Sequence, residues 1–488
     1  MQCGLAMSSF QRSYQRSTRS SAHPSRGMVS TVTTWNNATV GSGTILNQVQ
    51  NVYNEFGQQT NSYQAHDGSV TVGTTPEVRY NYYHGGGNTI RVAGMTYPNG
   101  RSLTYDYGVA DGMNDACSRI ESIINDSDSL NLASYQYLGA SGFVNVASSQ
   151  PGINWTLYGT TNDPNTGDIY SGLDRFGRVD NCLWQKQVGL ITTTLAQIQY
   201  GYDRASNRTW RKDGVLTLLL AGYDELYAYD GLYRLNDQKR GTLNGTQTAI
   251  TSGTFEQQWG LDSTGNWKTF KQDNDGNGTW ELNQTRTTNK ANEITGITNS
   301  VGAAWATPTY DPAGNMAGIP NPQSLTAQYD AWNRLVSVSD GANTVSQNVY
   351  DARGYRIRKD TYTSGTLTET RHYYYTPGWQ CVEERTGTLT TLERQFVWGL
   401  RYIDDLVMRD RSTANNGVIN ERRYAMQDGN WNTVAICDIT GFVSERFAYS
   451  AYGTPVFMTG ALGTESGTQY VAKRYKTIHN VESAARRA

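Results

Sequence analysis

Short runs of alternating apolar and polar residues recur along this chain. In "SLTAQYDAWNRLVSVSD", Leu325, Ala327 and Tyr329 alternate with polar neighbours. After a polar stretch, Val336 and Val338 alternate in the same way. Because successive side chains of a β-strand point to opposite faces, each run predicts a strand, and the two runs together predict an antiparallel hairpin.

The same unit, headed by Tyr-Asp, is repeated many times. Neighbouring copies are about 20 residues apart, which is the length of two short strands with their turns. A repeat of this kind predicts an array of hairpins in which each packs on its neighbours. Clear copies begin at Tyr202, Tyr223, Tyr310, Tyr329 and Tyr350, and weaker ones at Tyr53, Tyr105, Leu173, Leu261 and Asn289.

Turn chemistry explains the residues that the copies share. An aspartate hydrogen-bonds backbone amides two residues on, and glycine or asparagine tolerates the left-handed conformation that a tight turn requires. A tyrosine before the turn buries its ring while its hydroxyl reaches water or a carbonyl. The predicted structural residues of the turns are Tyr202, Asp203, Tyr310, Asp311, Gly314, Tyr329, Asp330, Tyr350, Asp351 and Gly354.

Composition supports an all-β fold. Among 488 residues there are 50 Gly and 33 Tyr but only 10 Phe, and strand formers alternate with turn formers. We therefore predict one continuous, strongly twisted antiparallel sheet of hairpins. In "YRIRK", Tyr355 and Ile357 share one face and Arg356 and Arg358 the other, which predicts a strand with one solvated side.

Charge and cysteine content exclude several function classes. The net charge of −2 provides no overall field for nucleic acid or an anionic membrane, so neither is an expected partner. No apolar run approaches the roughly 20 residues of a transmembrane helix. The five cysteines are far apart and odd in number, which indicates neither a disulfide framework nor a zinc site.

The Tyr-Asp-x-x-Gly-Asn/Arg unit resembles the YD repeat of the RHS/YD-repeat families, which include polymorphic toxins, shell proteins of insecticidal toxin complexes and teneurins. "VWGLRYIDDLVMRD" and a later element with Phe447, Tyr449, Tyr452, Gly453 and Pro455 are similar to the RHS-associated core. The resemblance covers roughly residues 50 to 456. It implies a sheet that spirals into a hollow shell, of which this chain would form a partial shell, or incomplete barrel.

The resemblance also implies partners and a location. After Val456 the family's second Tyr-rich strand pair, its cleavage segment and its toxin are not visible, so we predict a truncated C-terminus and no effector domain. The expected partners are a toxin cargo or the missing shell portion. Secretion or display at the cell surface is implied, although no signal peptide is visible in the basic N-terminus.

Four segments are predicted from these patterns. Residues 1–30 are a disordered basic tail, residues 31–360 the YD-repeat array, residues 361–456 the core-like β segment, and residues 457–488 a disordered or aberrant tail.

One segment carries potential metal ligands. "DNDGNGTWELNQ" matches the calcium loop of EF-hands at several positions, with Gln284 in place of the final glutamate. The missing ligand predicts weak affinity, and calcium is the only cofactor that the sequence suggests. The alternative is a hairpin turn rich in Asx and Gly. The candidate ligands are Asp273, Asp275, Asn277, Thr279 and Glu281.

No catalytic residues are predicted. The five histidines are scattered, and a serine-nucleophile elbow is absent. One aspartate per hairpin indicates turn formation and not a glycosidase pair, which would occur once. We therefore predict a non-enzymatic scaffold resembling the shell of a toxin system. The alternative is a surface adhesion or carbohydrate-binding module that uses aromatic rings such as those of Trp259, Trp267 and Trp280.

Overall fold

The computed structural model describes most of the chain. It covers residues 27–37, 39, 41–83, 90–157, 172–219, 222–320, 324–387, 389 and 391–460, together with the backbone of residues 11–15. The all-β prediction is confirmed, because strands dominate this part of the chain. The helices there are single turns, α1 (Met113–Ala116) and α2 (Gly214–Leu218), and neither could span a membrane.

A first sheet contains the strands up to residue 301, and each pairs antiparallel with the next along the chain. Its strands are β1 (Gln11–Gln15), β2 (Thr31–Trp35), β3 (Ile45–Tyr53), β4 (Gln59–Ala65), β5 (Glu77–Tyr82), β6 (Val92–Thr96), β7 (Ser102–Asp106), β8 (Ser122–Asn125), β9 (Leu130–Leu138), β10 (Gly142–Ser148), β11 (Ile153–Thr156), β12 (Asn181–Val188), β13 (Ile191–Tyr202), β14 (Arg208–Asp213), β15 (Asp224–Tyr229), β16 (Leu235–Leu243), β17 (Ile250–Leu261), β18 (Trp267–Asp273), β19 (Leu282–Thr288) and β20 (Ile294–Val301).

A second sheet continues the antiparallel order from residue 309. Its strands are β21 (Thr309–Tyr310), β22 (Met316–Ile319), β23 (Leu325–Tyr329), β24 (Leu335–Asp340), β25 (Asn343–Tyr350), β26 (Arg356–Thr363), β27 (Thr366–Tyr375), β28 (Cys381–Thr386), β29 (Thr391–Trp398), β30 (Leu406–Arg411), β31 (Glu421–Gln427), β32 (Thr433–Cys437), β33 (Val443–Tyr449) and β34 (Pro455–Thr459).

The hairpin array is therefore divided into two sheets, whereas the repeat predicts a single one. Residues 302–308 between β20 and β21 have no strand structure, and they include Gly302 at a positive φ of 85° and Pro308. Proline donates no backbone hydrogen bond, and glycine weakens strands, so this stretch interrupts the ladder.

Hairpins of the array slip by one residue just before the turn. The register shifts between Gly201 and Tyr202 and between Val349 and Tyr350, immediately ahead of the turn aspartates. Three residues after those aspartates the backbone is left-handed, with φ of 70° at Ser206 and 93° at Gly354. A left-handed residue closing a short hairpin loop produces this type of bulge, which explains the glycine or asparagine of the repeat.

Tyrosine hydroxyls connect consecutive hairpins. Tyr202 donates to the carbonyl of Val179 at 2.7 Å, and Tyr350 donates to that of Leu335 at 2.9 Å. In both cases the acceptor lies five residues after the aspartate of the preceding turn. The hydroxyl of Tyr310 instead accepts the amide of Ile294 at 3.1 Å, so this contact persists where the ladder is interrupted.

The chain is organised as two compact units. Unit 1 comprises Met1–Ser134 and Leu325–Arg422, and unit 2 comprises Tyr135–Ser324 and Arg423–Ala488. Each unit contains strands of both sheets. The predicted boundary at residue 360 stays a prediction, since β26 runs across it.

In unit 1 the two sheets meet through side chains that bond to backbone. Gln64 donates to the carbonyl of Tyr375 at 2.8 Å and accepts its amide at 3.0 Å. Buried charges also fill this unit, where Arg371 contacts Glu384 and Glu393 at 2.5 Å. Because burying an unpaired charge is costly, these ions stabilise the unit only as a paired set.

In unit 2 the same kind of contact joins the sheets. The indole of Trp184 donates to the carbonyl of Gln427 at 2.8 Å, and Arg446 donates to that of Leu195 at 2.9 Å. Leu216 of α2 packs against Ala448 and Met458 in a buried cluster. The apolar core of this unit therefore includes residues from both of its chain segments.

The termini extend the array. β1, within the predicted N-terminal tail, pairs with β2, whereas residues 1–10 and 16–26 lie outside the described residues. Within the predicted C-terminal tail, residues 457–459 belong to β34, and Met458 is fully buried. Residues 461–488 lie outside the described part of the chain.

The solvated side predicted for "YRIRK" is wrong at Arg356. This side chain is 9% exposed and lies over the ring of Tyr373 at 5.4 Å. Tyr373 belongs to the neighbouring strand β27, and a cation over an aromatic face is a favourable buried arrangement.

Replacement of Tyr350 by Phe tests the hydroxyl contact between hairpins. We expect Tyr350→Phe to lower the free energy of unfolding by about 1 kcal/mol, the net value of a buried hydrogen bond. Tyr362→Phe is the matched control, because its hydroxyl bonds the side chain of Gln347 at an exposed position. Urea unfolding measures both, and equal losses for the two variants would contradict the role of Tyr350.

Candidate functional site

The repeated turn has one geometry at Asp203, Asp311, Asp330 and Asp351. Oδ1 of Asp311 accepts the amides of Ala313 and Asn315, both at 2.9 Å, and Oδ2 accepts the side-chain amide of Asn315 at 2.9 Å. Gly314 supplies the left-handed residue, with φ of 83°. All donors to this carboxylate come from its own turn, so the carboxylate holds the backbone reversal.

The other predicted turns are built in the same way. Oδ1 of Asp203 accepts the amides of Ala205 at 2.9 Å and Asn207 at 2.8 Å. Asp330 and Asp351 accept the equivalent amides two and four residues on, at 2.9 to 3.0 Å. Tyr329 precedes Asp330 at the end of β23, as Tyr202 precedes Asp203 in β13.

Each turn also contacts a neighbouring turn. Arg334 bonds the carboxylate of Asp330 at 2.6 Å and donates to the carbonyl of Asp351 at 3.0 Å. Arg234 makes the corresponding bond to the carbonyl of Asp262 at 2.6 Å. The turn aspartates therefore form a row of linked backbone reversals, each acting locally.

Hydrogen bonds also lower the pKa of the carboxyl groups of two turn aspartates. The side-chain amide of Asn207 holds the pKa of Asp203 below its ordinary value, and Arg234 does the same for Asp230. Donors to a carboxylate favour its ionised form. Asp203 and Asp230 are therefore charged acceptors and not proton donors at neutral pH.

The predicted calcium ligands do converge. One carboxylate oxygen from each of Asp273, Asp275 and Glu281 lies within 4.8 Å of the others. These groups are already engaged, because Asp273 accepts three backbone amides, the shortest at 2.7 Å, and Glu281 accepts the amide of Asn274 at 2.6 Å.

The remaining predicted ligands lie at the tip of the same hairpin. Oδ1 of Asn277 accepts the amide of Thr279 at 2.7 Å, and its side-chain amide donates to Asp275 at 3.0 Å. These bonds are those of a turn rich in Asx and Gly, and calcium binding here stays a prediction.

Two tryptophans proposed for sugar contact lie in an aromatic cluster. Trp259 is 3% exposed and lies 5.9 Å from Trp267 and 5.1 Å from Tyr452 between ring centroids. A buried ring cannot stack on a ligand from solvent. Trp280 lies under the ammonium group of Lys271 at 5.4 Å.

A buried histidine pair in unit 1 was missed by the sequence analysis. Nδ1 of His66 lies 3.0 Å from Nδ1 of His372, and His66 also stacks on Tyr374 with 4.4 Å between centroids. Burial lowers the pKa of both imidazoles, to about 4 for His372. The two residues are 306 positions apart, so no local signal in the sequence could associate them.

Charged groups surround this pair. Arg358 and Arg385 lower the pKa of both histidines further, and Arg353 contributes at His66. Asp67 and Asp360 act in the opposite direction on His372. Burial and the surrounding charges together favour the neutral form of both rings, in which the Nδ1–H of one ring donates to the Nδ1 of the other.

Substitution of Asp203 tests the turn geometry. We expect Asp203→Ala to speed amide hydrogen exchange at Ala205 and Asn207 by at least about tenfold, because both amides lose their acceptor. Asp203→Asn is the matched control, since Asn289 accepts the equivalent amides at 2.9 and 3.0 Å. Unchanged exchange in the alanine variant would contradict the assignment.

Thermal stability should fall with pH in two ranges. His66 and His372 have folded pKa values below the ordinary 6.5, so their contribution is complete above pH 6.5 and is lost as the pH falls towards about 4. Asp203 has a folded pKa below 3.8, so its contribution is lost only at lower pH. Unfolding midpoints recorded from about pH 7 to about pH 3 measure both ranges.

His372→Gln separates the two ranges. Its side chain keeps a donor for His66 but does not titrate, so the loss in the upper range should shrink while that in the lower range remains. A midpoint of the unmodified protein that is constant between pH 6.5 and about 4 would contradict the role of the histidine pair.

Comparison with known proteins identifies the fold. No protein-family model and no curated protein sequence matches the chain. The structure of the Photorhabdus luminescens Tc holotoxin pore with a TccC3 mutation does, at 14% identity and a TM-score of 0.59, over 93% of this chain and 23% of that one. The crystal structure of TcdB2-TccC3 matches at 14% identity and a TM-score of 0.57, over 93% and 24%.

A second TcdB2-TccC3 structure, without the hypervariable C-terminal region, matches at 14% identity and a TM-score of 0.56, over 94% of this chain and 24% of that one. The chain therefore spans about a quarter of the length of these proteins. At this level of identity the likeness concerns the fold, and the hairpin array described here has the fold of part of the Tc toxin TcdB2-TccC3 structures.

Proposed function

We propose that this chain is a non-enzymatic wall segment of a shell of the RHS/YD-repeat type. The observation that carries the proposal is the superposition of 93% of the chain on the Photorhabdus luminescens Tc toxin structure. A likeness that extends over nearly the whole chain leaves little sequence for a separate catalytic domain within it.

The use of the repeated residues supports a building role. The aspartates that recur in each hairpin accept backbone amides of their own turns, as at Asp311 and Asp330. The tyrosines before them bond the preceding hairpin, as at Tyr350. These are the contacts that a curved sheet needs at every repeat, whereas a catalytic group is needed once.

The resemblance of the repeat to polymorphic toxins and insecticidal toxin complexes suggests what such a wall encloses. We infer a toxin polypeptide as cargo, further shell sequence as partner, and export from the cell or display on its surface. Most residues of β28 and β29 in unit 1 are buried, so these strands would form a closely packed part of such a wall.

Protease protection tests enclosure. The natural full-length gene product, with an affinity tag inserted at the partly exposed Gly417 between β30 and β31, would be purified and digested before and after urea denaturation. We expect a polypeptide that survives digestion in the native assembly and is degraded after denaturation. Recovery of the chain without such a polypeptide, or equal degradation in both states, would contradict the shell.

A pair of variants controls for wall integrity. Val382 is fully buried in β28, so Val382→Asp should open the wall and abolish protection, because it buries an unpaired charge. Val418 is 64% exposed, so Val418→Asp should leave protection unchanged.

A further inference from the structure

Unit 1 contains a cleft lined by aromatic rings and by no charged residue. Its volume is about 400 Å³, which is within the range of small-molecule sites. Tyr80, Tyr82 and Tyr105 line it from the first sheet, and Trp398 and Pro377 line it from the second. The cleft is thus built where strands β5 to β7 approach the turns that follow β27 and β29.

The rings are positioned but leave room between them. The hydroxyl of Tyr82 donates to the carbonyl of Gln59 at 3.0 Å, and the indole of Trp398 donates to that of Cys381 at 2.7 Å. Tyr80, Tyr82 and Tyr105 all border the open space of the cleft. Held in this way, aromatic faces border a cavity and do not fill it.

The side-chain oxygens of two glutamines at the cleft favour a ligand that donates hydrogen bonds. Gln59 uses its amide nitrogen on Asn51 at 3.0 Å, and Gln380 uses its amide nitrogen on the carbonyl of Ile403 at 2.9 Å. Both side-chain oxygens are left to accept. The hydroxyl of Tyr105 can donate or accept, and burial raises its pKa to about 12, so it stays protonated.

These properties disfavour several classes of ligand and suit a neutral ligand with an apolar face and hydrogen-bond donors. An ion would lose its hydration without gaining a counter-charge, since no lining residue is charged. A quaternary ammonium ion or a run of prolines suits aromatic faces but has no N–H or O–H for the two glutamine oxygens. A pyranose has an apolar C–H face for a ring and several hydroxyl donors around its edge.

We propose that this cleft binds a pyranose ring of a neutral saccharide, with the aromatic rings against its C–H faces and Gln59 and Gln380 accepting its hydroxyls. The site goes beyond the wall function and does not depend on it. It differs from the tryptophans named in the sequence, because its rings come from tyrosines on two strands, β5 and β7, and from a tryptophan about 290 or more residues away.

Calorimetric titration with free glucose, galactose and N-acetylglucosamine, each up to about 10 mM, tests the proposal. Gly378 lines the cleft, and a Cβ there would meet its nearest neighbour, Thr376 Oγ1, at an ordinary 3.7 Å. Gly378→Phe therefore adds a ring at a residue that lines the cleft, with no close contact at its Cβ and no left-handed backbone. We expect it to weaken saccharide binding at least tenfold.

Two further variants complete the test. Gly231→Phe places the same ring in a turn with nothing within 4 Å, and binding should be unchanged. The double variant Tyr80→Phe, Tyr105→Phe keeps the rings and removes two hydroxyls, and binding should weaken by about three- to tenfold. The proposal is overturned if none of the three sugars binds, if Gly378→Phe leaves affinity unchanged, or if tetramethylammonium binds in their place.

Discussion

The hydrogen bonds from backbone amides to the turn carboxylate are the constraint on which the whole array depends. An aspartate such as Asp311 fixes the amides two and four residues on, which forces the residue between them into the left-handed conformation. The same turn places a bulge before the tyrosine and thereby directs its ring and hydroxyl. Repetition of this unit builds a sheet of many strands from contacts that are mostly local.

Contacts within single turns do not by themselves hold the hairpins and the two sheets together. The tyrosine hydroxyls join each hairpin to the preceding one, and bonds such as those between Gln64 and Tyr375 join strands from distant parts of the chain. Those bonds run from side chains to backbone, so they tolerate variation of the side chain on the accepting strand. This tolerance is compatible with a fold that is shared with the Tc toxin structures at 14% identity.

The departures from the sequence-based expectations have a common cause. Alternation predicts a solvated face at Arg356, yet this side chain is buried and lies over the ring of Tyr373. Residue type alone leaves both sugar contact and core packing open for Trp259, and the structure places it within an aromatic cluster. Alternation and residue type predict which side chains of a strand share a face. Whether that face is buried depends on which distant parts of the chain pack against it.

The sequence by itself determined the all-β class, the hairpin unit and the chemistry of its turns, because each depends on residues within about five positions of one another. The tertiary structure alone decided which distant residues meet, including His66 with His372 and the tyrosines of the cleft with Trp398. It also decided where the ladder is interrupted. Those outcomes depend on how strands hundreds of residues apart pack together, and a local pattern carries no information about that packing.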